Sequence, residues 1–177
     1  PYFSNLQNST ELDLEPKFEN DSYDNLVWIP ENFLRQYITD RPIANGGEPL
    51  FVDYPDSYKF YEFKEFENFY LVSFLYRDES CCRFLYYLTL DKEPLNIIEI
   101  CLIGYTGGDG GWVGEKLGNW SSKNRIKLIE TSSYDPDLVN GPNLEQDTVW
   151  SEIRLDEIGY FKEFEKRSVE YKGGQRI

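Results

Sequence analysis

From Tyr58 onward, apolar and polar residues alternate along most of the chain, the period-two pattern of strands with one buried face. Residues 58–66 set Tyr58, Phe60, Glu62, Lys64 and Phe66 on one side and Lys59, Tyr61, Phe63 and Glu65 on the other. Residues 69–77, 82–90 and 95–105 are the most apolar stretches and are predicted as the central strands. Asp78-Glu79-Ser80 and Asp91-Lys92-Glu93-Pro94 divide them as turns, and Pro94 cannot donate to a ladder. Residues 50–54 form a short strand ending at Pro55, and 125–131 and 148–155 alternate again. Residues 160–171 admit a helix, because Ile158, Phe161 and Phe164 lie three apart. A strand is preferred, since Gly159 follows a turn and Val169 and Tyr171 continue the alternation.

Helical spacing is clear only over residues 30–40. Pro30 suits a first helical turn, Glu31 complements the dipole, Pro42 stops the helix, and Phe33, Leu34, Tyr37 and Ile38 share a stripe. Seven or eight consecutive strands with short turns make an antiparallel meander, which must curl or close to hide its edges. The expected fold is mainly β to α+β, a curled half-barrel or barrel with one N-terminal capping helix. Residues 1–25, rich in Asn, Glu, Asp and Ser, read as a flexible acidic leader, and 26–177 as a single β-rich domain.

Composition narrows the chemistry. The 177 residues can bury a core without metal or disulfide staples, and the 14 Tyr and 12 Phe favour strands. A formal charge of −14 repels phosphate backbones, so nucleic acid is not expected as a partner, whereas a basic protein is. The chain has no His, which removes Ser-His-Asp and Cys-His catalysis and the commonest zinc ligand. No catalytic residue, metal or cofactor is assigned, and the chain is not expected to be an enzyme. No apolar run approaches the roughly 18 residues of a membrane span. No Met is present even at position 1, as expected if a segment has been removed ahead of it.

Cys81, Cys82 and Cys101 lack zinc spacing. Pairing Leu90 with Leu95 sets Phe84 opposite Cys101 and Cys82 opposite Ile103, so Cys82 and Cys101 become diagonal neighbours. A Cys82–Cys101 disulfide is conceivable there, although diagonal separations are usually too long; buried free thiols are the alternative. The same register sets Glu99 opposite Tyr86, where a carboxylate needs either a partner or a route to solvent. Asp135, Asp137, Glu145 and Asp147 fall in a predicted loop over 132–147 whose spacing is not that of an EF-hand.

The least ordinary stretch is the predicted loop Gly107-Gly108-Asp109-Gly110-Gly111, bracketed by Trp112 and Trp120. It lacks the Gly-Lys-Ser/Thr ending of a phosphate loop, and its glycines supply positive φ. The tryptophans either lid the core or stand exposed as contact anchors. The partner-binding residues are expected to be Asp109, Trp112, Glu115 and Trp120.

Over residues 69–170, GGDGGWVGEKLGNW and VWSEIRLDEIGYFKEF resemble small β-rich bacterial envelope lipoproteins, some of which are toxin-immunity proteins. The resemblance implies the periplasm or cell envelope, with the cytoplasm as alternative. It implies membrane contact only through an N-terminal lipid anchor outside this chain. The functional expectation is a non-catalytic protein-binding protein of the immunity type that neutralises a basic toxin, helped by its acidic field. A small-ligand carrier using the inside of the curled sheet, and a structural envelope lipoprotein domain, are the alternatives.

Overall fold

The computed structural model describes residues 26–44, 50, 57–78, 81–136, 143–173 and 175–176. The predicted leader, and all of the predicted strand 50–54 except Leu50, lie outside them. The elements are β1 (Val27–Trp28), helix α1, β2 (Ile43–Ala44), β3 (Tyr58–Glu65), β4 (Phe69–Arg77), β5 (Cys82–Asp91) and β6 (Ile97–Asp109). They continue as β7 (Trp112–Ser122), β8 (Arg125–Tyr134), β9 (Glu145–Leu155), β10 (Phe161–Lys172) and β11 (Gln175–Arg176). Helix α1 is α-helical over Glu31–Phe33 and π-helical over Leu34–Ile38. The C-terminal segment is therefore a strand.

The strands form a curled, open antiparallel meander in the order β1-β3-β4-β5-β6-β7-β8-β9-β10-β11. The short β2 pairs in parallel with β6 at Ile100 and Cys101. Helix α1 lays Phe33, Leu34 and Ile38 against Tyr58, Phe60, Val72, Phe74, Tyr86, Leu88 and Ile100 of the central strands. On the opposite face Leu71, Leu75, Leu85, Tyr87, Cys101 and Ile103 pack against Ile126, Leu128, Ile153 and Leu155 of β8 and β9. The later strands thus fold over the face that the helix leaves open, and the central strands are buried on both sides. This is why they read as nearly continuous apolar runs.

Several expectations of register are corrected. Leu90 pairs with Ile97, Tyr87 with Cys101 and Cys82 with Gly107. The amide of Asp91 donates to the carbonyl of Asn96, which moves the turn later, and register shifts at Leu85/Tyr86 and Thr89/Leu90 move the pairing further. Cys82 is bonded to its neighbour Cys81, and Cys101 is a buried free thiol, so there is no Cys82–Cys101 bond.

The alternation predicted over 58–66 breaks at a register shift between Phe60 and Phe63. There the Ser73 hydroxyl accepts from the Glu62 amide at 2.9 Å and fills the gap in the ladder. Beyond it Phe63 joins the helix-side cluster, whereas Tyr61 and Phe66 join the opposite one. Strands β8 and β9 also extend into the predicted loop 132–147, pairing Ser132 with Asp147, Ser133 with Gln146 and Tyr134 with Glu145.

The predicted glycine loop is a hairpin. Strand β6 continues through Gly107 and Gly108 to Asp109, which pairs with Trp112. Only Gly110 and Gly111 form the turn, with φ of +56° and +88°, a conformation that glycine adopts at little cost. The glycines of β7 serve close approach instead: a Cβ on Gly114 would fall 2.2 Å from the Trp112 ring and one on Gly118 2.6 Å from Leu128.

The β9–β10 turn is latched to the central strands. The Asp156 carboxylate accepts the amides of Ile158 and Tyr160, Thr89 donates to the Gly159 carbonyl at 2.7 Å, and Asn68 donates to the Glu157 carbonyl. Glu99 lies opposite Thr89, not Tyr86, and its carboxylate accepts the Phe161 amide. Burial raises the Glu99 pKa; the Phe161 amide opposes that rise and nearby Asp156 adds to it.

Candidate functional site

Strands β7 and β8 alternate, with even-numbered positions turned inward and odd-numbered ones outward, and a register shift between Phe164 and Lys166 interrupts the alternation of β10. On the outward face Leu117 pairs with Ile129, Ile129 with Trp150 and Trp150 with Arg167, forming one cross-strand row. Beside it runs a row of Asn119, Lys127, Glu152 and Phe164, and on the other side one of Glu115, Thr131, Thr148 and Val169. The sheet bends around these residues into a trough of about 750 Å³, lined by Leu117, Ile129, Trp150, Lys127, Lys166 and Arg167, among others. A second hollow of about 370 Å³ shares Glu115 and Thr131 with it and extends to Val113 and Tyr171.

Large apolar side chains stand exposed here: Leu117 at 37%, Ile129 at 46%, Trp150 at 38% and Val113 at 61%. Single exposed apolar residues are ordinary, but a contiguous exposed row is a candidate contact surface. The Arg167 guanidinium sits 5.5 Å from the centre of the Trp150 ring, and that of Arg154 lies 4.2 Å from that of Phe164. Trp and Arg are the side chains most enriched among energetically dominant interface residues.

The charges of this face differ from those of the chain. Glu152 pairs with Arg154 at 2.7 Å and Arg125 at 4.0 Å. The Arg154 hydrogen bond, with the charges of Arg154, Arg125 and Lys127, holds its carboxyl below the usual range against a smaller effect of burial. Lys127, Lys166 and Arg167 form no ion pair among the described residues.

The residues predicted for partner binding do not share one surface. Asp109 stands exposed at the hairpin turn. Trp112 folds over Gly114 on the inward face and stacks on Tyr105 at 6.1 Å. Trp120, also inward, stacks on buried Tyr87 at 6.1 Å. Glu115 points the other way and lines the trough. Trp120 packs on the core, Trp112 is half-buried over Tyr105 and Gly114, and of the predicted residues Glu115 alone lies in the trough. Leu117, Ile129, Trp150 and Arg167 were not predicted. Their signal is an apolar residue out of phase: in 125–131 Ile126 and Leu128 mark the inward side and Ile129 breaks the alternation, as Trp150 does beside Ile153 and Leu155.

Beneath the sheet, the Tyr105 hydroxyl donates to Glu130 at 3.0 Å, and buried Lys116 reaches the same carboxylate at 3.4 Å. Burial and the Glu130 charge raise the pKa of Tyr105, so it stays a neutral donor. This cluster ties β6, β7 and β8 together where the sheet turns. Among the described residues no three Asp, Glu or Cys side chains gather closely enough to hold a metal ion. No described helix is long and apolar enough to cross a membrane. No protein-family model, curated protein or solved structure matches the chain.

Proposed function

We propose that the chain is a non-catalytic protein-binding protein whose contact surface is the outward face of β7–β10. It acts as an inhibitor of the immunity type, neutralising a toxin in the bacterial periplasm or cell envelope. The observation that carries the reading is the exposed cross-strand row Leu117–Ile129–Trp150, flanked by Arg167. A sheet face of this kind offers large, stiff side chains on a rigid frame, so little ordering entropy opposes binding. The resemblance of the hairpin and closing strands to envelope lipoproteins supports the compartment. The net charge of −14 supports a partner of net positive charge, drawn in at long range.

The test is complex formation between the purified chain and the products of neighbouring genes, followed by size-exclusion chromatography with light scattering. A stoichiometric complex that Ile129→Ala with Trp150→Ala weakens by more than about 2 kcal/mol supports the reading. A complex indifferent to both changes, or none with any neighbour, refutes it.

A further inference from the structure

We infer that the trough on β7–β10 receives an extended segment of the partner protein that presents carboxylates beside aliphatic or aromatic side chains. The inference rests on the protein-binding reading and specifies the chemistry of the partner's contacting element. Its basis is a local reversal of charge. In a chain of net charge −14, three cations, Lys127, Lys166 and Arg167, line this apolar trough. None forms an ion pair among the described residues. Of the two carboxylates among the described residues that line it, Glu152 is already engaged by Arg154 and Arg125, with the charge of Lys127 also acting on it. Among the described residues this leaves Glu115, in the row on the other side of Leu117, available to a cation.

A basic segment would set like charges against Lys127 and Arg167, which stand in the outward rows, and would be rejected at short range, even if the chain's overall field attracted its owner. A purely apolar segment would cover the cations and strip them of water without compensation. A segment carrying both kinds of group satisfies both parts of the trough. The spacing favours an extended conformation. Ile129 and Lys127 lie two apart on β8 and face the same way, about 7 Å apart along the strand. A second extended chain places its own side chains at that same interval. Arg167 sits at the end of the apolar row against Trp150, where its planar fork can take a carboxylate in bidentate fashion.

The probes are blocked peptides with the repeat Leu-Ser-Glu-Ser, Leu-Ser-Gln-Ser or Leu-Ser-Lys-Ser. In each, Leu and the variable residue fall on one face of an extended chain. Binding to the full chain is read from the indole N–H signal of Trp150 in nitrogen-15 correlation spectra, assigned with Trp150→Phe. The Glu peptide is expected to shift that signal and to bind about tenfold tighter than the Gln peptide, since two exposed pairs contribute on the order of 1.4 kcal/mol. The Lys peptide should bind weakest, and Lys127→Glu with Arg167→Glu should reverse the order while amide dispersion shows the fold intact.

Equal binding of all three peptides, or preference for the Lys peptide, overturns the inference and leaves the protein-binding reading standing. So does a neighbouring gene product that docks on this face while no peptide binds. If neither peptides nor gene products dock there, both fall. Concentration-dependent shifts of the Trp150 signal in the chain alone would mean that a second copy fills the trough, which also overturns the inference.

Discussion

Gly159→Ala should loosen the hairpin that carries Trp150 and Arg167. Gly159 has φ of +96°, and its carbonyl accepts the Thr89 hydroxyl at 2.7 Å. Placing a side chain at positive φ costs roughly 1–2 kcal/mol. The added Cβ would lie 2.8 Å from the Ile98 Cδ1 atom, the end of a flexible chain that can turn aside. It would meet Phe69 and Thr89 at 3.4 Å, an ordinary contact. Any shift of the turn weakens the Thr89 bond, worth roughly 0.5–1.5 kcal/mol. The sum is about 1.5–3.5 kcal/mol, and a domain of this size loses about 2–4 °C of Tm per kcal/mol. Urea titration followed by tyrosine and tryptophan fluorescence measures the loss directly. Gly110→Ala is the control: φ there is +56°, and nothing lies within 4 Å of the added carbon, so only the backbone cost applies. If Gly159→Ala proves no worse than Gly110→Ala, the turn is not packed against β4 and β5 as described.

Other outcomes follow from the same contacts. Because the Glu99 pKa is raised when folded, the folded chain holds that proton more tightly than the unfolded one. Its contribution is full below the ordinary value of 4.5 and is lost as pH rises through the folded value. Glu99→Gln keeps an acceptor for the Phe161 amide and should equal or exceed the original chain in stability at pH 7, the difference closing below pH 4.5 in paired urea titrations. Asp156 titrates the opposite way. Burial acts to raise its pKa, but the Tyr160 and Ile158 amides and Lys162 together lower it. Its stabilisation is therefore present above its ordinary 3.8 and lost as pH falls through the folded value. Asp156→Ala should destabilise at pH 7 and converge with the original chain in acid, in the same titrations. Glu130→Leu leaves buried Lys116 without its carboxylate and should cost about 3 kcal/mol or more in thermal melts, whereas Trp150→Ala should cost under about 1 kcal/mol while removing binding.

The sequence disclosed the fold class because its cues are local. Pro30, Pro42 and one apolar stripe define α1, and alternation defines the strands. Register was not legible, because the shifts are set by hydrogen bonds between distant residues, such as Ser73 to Glu62. The glycines after Tyr105 looked like a loop, although Gly114 and Gly118 are small to admit Trp112 and Leu128 across the inner face. The trough was hidden for a related reason. Leu117, Ile129, Trp150 and Arg167 come from four strands, and only the pairing of those strands brings them into one row. Trp112 and Trp120 drew attention as aromatic residues near glycines, but their even positions turn both away from the trough, and Trp120 packs on the core.

The most direct measurement is photocrosslinking in living cells, with benzoylphenylalanine placed in turn at Ile129 and at Arg35. Both positions are exposed, one in the trough and the other on α1 across the molecule. A discrete protein adduct from position 129, absent from position 35 and abolished by Trp150→Ala, is the expected result. Adducts of equal yield from both positions, or none from position 129, would contradict the assignment of the β7–β10 face as the docking surface.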